Sequence, residues 1–169
     1  MPLLEAGKLV PDAYSRVDDE AALPDSAPAI VSFARLERDA PALAGRNAPL
    51  GVIVPQGLDP EKLAPYLDRL ALVVVQLPKF KDGRAFTTAR ILRERYGYKG
   101  EIRATGHILP DQYVLLLRVG VTSVELAEDA DPKRWQEAMH LYHIAYQASL
   151  TEDTPLSNFR RRLAVADSH

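Results

Sequence analysis

The 169-residue sequence predicts a single α/β domain, a five-stranded parallel sheet with helices on both faces. Three observations carry this reading. Apolar strand-like runs alternate strictly with segments of helical spacing, five of each, joined by short connections. Right-handed crossovers between such units place consecutive strands in parallel. The run Leu72–Leu77 is apolar on nearly every side chain, the pattern of a strand buried on both faces. Asp59-Pro60 and Asp131-Pro132 repeat one helix-start signature, an N-cap residue followed by proline at the first helical position. The same alternation also suits half of an eight-stranded α/β barrel, which would have to pair with a second half.

Residues 1–27 read as an acidic N-terminal extension punctuated by Pro2, Pro11 and Pro24. Within it, Leu3-Leu4-Glu5, the turn Ala6-Gly7 and Leu9-Val10 suit a small hairpin. The α/β domain spans 28–148. Its first strand covers 29–33, and a helix follows from Arg35, with Gly45 and Asn47 as stop signals. The second strand is 50–54. A helix from Asp59 carries Leu63, Tyr66, Leu67 and Leu70 at helical spacing, and the strand Leu72–Leu77 comes next. Phe86, Ala89, Leu92 and Tyr96 then line one face of a helix that Gly97 is placed to cap. A short strand begins near Glu101, Pro110 opens an apolar helix that Gly120 ends, and the last strand begins near Thr122. Trp135, Met139, Tyr142 and Tyr146 recur at spacings of four, three and four, so they form one helical face directed to the interior. Residues 149–169, with Arg160-Arg161-Arg162, read as a mobile tail or a short extra helix.

Composition bounds the function. A net charge of -2 supplies no overall field to attract nucleic acid or a membrane surface, and neither is expected as a partner. The charge is unevenly spread. Residues 78–103 hold eight basic side chains against three acidic ones, which makes that segment +5 and the remainder -7. The absence of cysteine excludes disulfides, thiolate zinc sites, cysteine-ligated clusters and thiol nucleophiles. No apolar run approaches the roughly 20 residues of a membrane helix, and the N-terminus lacks a signal-peptide pattern. A soluble, cytoplasmic protein is the expectation.

In parallel sheets, ligands gather outside the carboxyl ends of the strands. On this reading that edge collects Lys79, Lys81, Asp82, Arg84, Arg103 and Gln112. The basic loop leads into a helix N-terminus, whose free N–H groups and dipole would help to hold an anion or an acidic partner. Arg84 and Arg103 are the stronger candidates, because guanidinium offers a planar fork of donors, with Asp82 and Asp111 orienting them. A charged loop of this kind also serves as a plain solvated turn, with Asp82-Gly83 chosen for turn geometry. His107, with Asp111 and Asp82, is the candidate acid–base group. Glu137 and His140 show the Glu-x-x-His spacing of di-iron helices once, where such sites need it twice, so no metal is expected. Neither glycine-rich nucleotide fingerprint is present, and no cofactor is expected.

The run Pro78-Lys79-Phe80-Lys81-Asp82-Gly83-Arg84, then Ala89 and Leu92-Arg93, then 97–106 (Gly-Tyr-Lys-Gly-Glu-Ile-Arg-Ala-Thr-Gly) and Asp111-Gln112 resemble a bacterial family. It is the domain-of-unknown-function family numbered nine hundred and thirty-four, and the likeness covers about residues 28–146. Its members are labelled probable oxidoreductases involved in sulfite reduction, with genes neighbouring those of assimilatory sulfite reductase. The resemblance implies an accessory of sulfur assimilation that docks on sulfite reductase or a related protein. A small oxidoreductase acting on an anionic substrate, with a loosely bound nicotinamide or flavin, is the alternative. Lacking cysteine, the chain cannot hold the iron–sulfur cluster that sits beside siroheme in the reductase. Self-association is compatible with either.

Overall fold

The computed structural model describes residues 2–79, 83–128 and 130–141, with the side chains of the last helix described as far as Ala138. Lys81, Asp82, Tyr142, Tyr146 and the tail 149–169 lie outside these residues, as do the side chains of Met139 and His140.

All five expected strands form. They are β4 (Ala29–Ser32), β5 (Leu50–Val54), β6 (Leu72–Leu77), β7 (Glu101–Gly106) and β8 (Ser123–Glu125), and each is parallel to its neighbour. The sheet is larger than five strands, however, and mixed. β1 (Leu3–Glu5) and β2 (Lys8–Val10) make a hairpin whose first strand pairs antiparallel with β8, and β3 (Ser15–Arg16) adds a parallel strand beside β4. The spatial order is β2-β1-β8-β7-β6-β5-β4-β3.

From β3 to β8 this order simply follows the chain. Right-handed crossovers then deliver every helix to the same side, so the expectation of helices on both faces is replaced by the half-barrel arrangement. Core packing agrees. Helix residues Phe33, Leu36, Leu63, Leu92, Leu116 and Trp135 join one apolar cluster with Val31, Val52, Val73, Ile102 and Val124 from alternate strand positions. The intervening positions face the concave side. There Ile30, Leu72 and Val74 make a separate small cluster, with Tyr14 and Ile53 packed against it. Gly51 lies in this layer, where a Cβ would meet Ile30 and Leu72 side chains at 3.1 Å.

One ion pair shows how far the sheet curls. Arg16 on β3 and Glu125 on β8 are five strand spacings apart, about 24 Å if the sheet were flat. Yet Arg16 Nη2 donates to both carboxylate oxygens of Glu125, at 2.8 and 2.6 Å. The segment between β2 and β3 therefore runs as a strap across the mouth of the half-barrel.

The helical layer follows its sequence signals. Ser32 caps α1 (Phe33–Arg38) by accepting the Arg35 N–H, and α2 (Ala40–Leu43) follows directly. Asp59 accepts the Glu61 N–H and opens a 3-10 helix, Pro60–Arg69, which contains Pro65. An interior proline removes a helical hydrogen bond and clashes with the preceding turn, which disfavours the α form here. α3 (Arg84–Glu94), α4 (Pro110–Arg118) and α5 (Pro132–Leu141) complete the layer, α5 starting where Asp131 accepts the Lys133 N–H. Among the described residues no helix is long and apolar enough to cross a membrane.

Candidate functional site

The concave face holds a cluster of charged groups, and sequence alternation put it there. Glu101, Arg103 and Thr105 point one way along β7 while Ile102 and Ala104 point to the helices. Arg103 is only 1% exposed. Its Nη1 donates to Asp12 at 2.9 Å and its Nε to Glu101 at 3.0 Å, with Glu125 at 3.6 Å. Burial alone would lower the Arg103 pKa, but Glu101 and Asp12 outweigh it and the net shift is upward. Tyr14 from the strap lies 5.5 Å from the guanidinium carbon over its ring, a favourable cation–π placement. Burial and the nearby Glu101 charge raise the Tyr14 pKa. Two hydroxyls add to the same carboxylates. Ser123 donates to Glu101 at 2.5 Å and Thr105 donates to Glu125 at 2.8 Å.

Arg103 thus sits in mid-strand, inside the half-barrel, and is not brought together with Lys79 and Arg84. Those two lie at the rim. Lys79 is exposed just past the end of β6. Arg84, exposed at the first position of α3, extends beside Gly57, where a Cβ would stand 3.6 Å from its Nη1. Gln56, Gln76 and Arg84 line a shallow depression at the carboxyl ends of β5 and β6. Gln112 has a local task, accepting the Leu109 N–H at 3.1 Å to cap α4. Two more cations of the basic segment are engaged in structure. Arg93 donates to the carbonyls of Tyr98, Gly100 and Gly120 at 2.5, 2.8 and 2.9 Å, and Arg90 pairs with Glu94 at 2.9 Å.

The other part of the rim lies beyond β7 and β8. Gly106, at φ 110°, turns the chain out of β7 so closely that a Cβ would collide with the Leu77 carbonyl, and His107 N–H then donates to that same carbonyl at 2.8 Å. This tight turn leaves His107 exposed at the edge of a cleft of about 420 Å³. Glu125, Asp131, Arg134 and Trp135 also line the cleft. Asp111 is exposed on the first turn of α4 and makes no hydrogen bond to His107, and Asp82, the other member of the expected acid–base group, lies outside the described residues.

Sequence reasoning missed Asp12, Tyr14, Arg16, Glu125 and Arg134. For Glu125 a signal existed. Ser123-Val124-Glu125 repeats the polar–apolar–polar alternation of β7, and two adjacent strands with that alternation mark a polar inner face. Nothing local marks Asp12, Tyr14 or Arg16, because their role depends on sheet curvature. Arg134 looks like any surface residue of a first helical turn.

Fold and site together define a curled α/β half-barrel with an internally paired polar interior and a charged carboxyl rim. Residues 51–157 match the family model described as "Bacterial protein of unknown function (DUF934)", and the chain belongs to that family. No match is found among curated proteins.

Proposed function

We propose that the protein is a non-catalytic accessory of assimilatory sulfite reduction that uses its carboxyl rim to bind an anion or an acidic partner. The sulfur-assimilation setting rests on the family resemblance, and exposed cations at the rim support the mode of action. One observation carries it. The carboxyl rim carries two exposed cations, Lys79 just past the end of β6 and Arg84 at the first position of α3. Cations at a rim, backed by a helix N-terminus, attract negative surface on a partner and steer its approach.

The test is the double variant Lys79→Gln/Arg84→Gln. Exposed surface changes of this kind stay within about 0.5 kcal/mol of native stability, so the thermal melt should be unchanged. Growth on sulfate as sole sulfur source should slow measurably in a strain carrying only the variant. Wild-type growth with an unchanged melt would remove the rim from the function. The oxidoreductase alternative is separated by absorbance, since a flavin-type spectrum in the purified protein would favour it.

A further inference from the structure

We infer that the cleft at the carboxyl ends of β7 and β8 is a binding site for a small organic anion, its charged head held by His107 and Arg134. This site is separate from the Lys79 and Arg84 rim and does not depend on docking to the reductase. The argument rests on two basic side chains that line it without a partner among the described residues. Two of the charged groups lining it are acids. Glu125 is 5% exposed and takes Arg16 and Thr105, with Arg103 at 3.6 Å. Asp131 accepts the Lys133 N–H that starts α5. The two bases are not used in this way. Among the described residues the side chains of His107 and Arg134 make no hydrogen bond or ion pair, and both are exposed. The Arg134 guanidinium and the His107 imidazole are thus open to a ligand in a cleft where Glu125 is already paired with Arg16 and Asp131 caps α5. Guanidinium and imidazole N–H groups suit carboxylate, phosphate or sulfonate oxygens.

Size narrows the class further. About 420 Å³ exceeds the needs of a bare inorganic ion and falls within the range of small-molecule sites. The rest of the wall is apolar, with Ile108, Pro110, Ala127, Ala130 and Trp135. An anionic head with a short carbon body matches both halves of that lining.

Trp135 is the single tryptophan of the chain and lines the cleft, so its emission reports occupancy directly. The full-length protein is titrated, at constant ionic strength, with butyl phosphate, inorganic phosphate, sulfite and butanol. Butyl phosphate is expected to give a saturable change, the two inorganic anions a weaker one and butanol none. His107→Gln and Arg134→Gln should each weaken butyl phosphate binding about tenfold or more, equivalent to about 1.4 kcal/mol, with unchanged melts. Lys79→Gln should leave the affinity as it was. No saturable change with butyl phosphate at tens of millimolar would overturn the assignment. So would an equal response to butanol, or an affinity that Arg134→Gln leaves intact. Loss of binding in these variants with docking to sulfite reductase preserved keeps the two sites distinct.

Discussion

Arg103→Met is expected to cost roughly 3–5 kcal/mol of stability, the usual penalty for removing one partner of a buried ion group. The guanidinium is 1% exposed and is shared by Asp12, Glu101 and, at longer range, Glu125. Methionine fills much of the volume but leaves those carboxylates facing one another without their shared cation. The cost arises from stranding them, so Asp12→Asn added to Arg103→Met should recover part of the loss, a non-additivity expected of groups in contact. Denaturant unfolding of the two variants measures this. A loss under about 1 kcal/mol for Arg103→Met would mean that water reaches the inner face and that the strap does not close it.

Trp135→Ala is expected to cost a similar amount, roughly 3–5 kcal/mol, through lost burial and the cavity left behind. Trp135 is 5% exposed and stands edge-to-face to Tyr113 with ring centroids 5.8 Å apart, a preferred aromatic geometry. The damage should spread to the N-terminal hairpin. Tyr113 hydroxyl accepts the Gly7 N–H at 3.0 Å, and Gln136, beside Trp135, donates to the Gly7 carbonyl at 2.9 Å. Faster hydrogen exchange at Leu3 to Val10 should therefore accompany the drop in stability. A melt within about 1 kcal/mol of wild type would place the indole outside the core.

The strands that sequence reading recovered are those whose own side chains declare them. Ala29–Ser32, Leu50–Val54 and Leu72–Leu77 are apolar runs bounded by breakers, and the two Asp-Pro pairs start helical segments through local chemistry. What was misread is the reason for the double-sided apolarity of Leu72–Leu77. Helices cover only one of its faces; Leu72 and Val74 are buried because the sheet curls onto Ile30 and Ile53, with Tyr14 laid over them. Periodicity reports that a face is buried but not what buries it. β3 escaped detection because two exposed residues carry no pattern, and its place is fixed by pairing with β4. The basic segment read as one binding edge, although Arg103 turns inward to Asp12 and Glu101 and Arg93 to the Gly120 carbonyl, while Lys79 is exposed at the rim. Sequence charge counts do not distinguish a cation used in the fold from one presented to a partner.

Sedimentation velocity of the purified protein mixed with sulfite reductase tests the docking role most directly. The wild type should travel with the reductase at low ionic strength and dissociate as salt rises, since exposed charge pairs are screened beyond about 10 Å at 0.1 M. Lys79→Gln/Arg84→Gln should sediment alone at both salt concentrations. Two independent boundaries for the wild type at low salt, or a complex that the double variant forms equally well, would contradict docking through this rim.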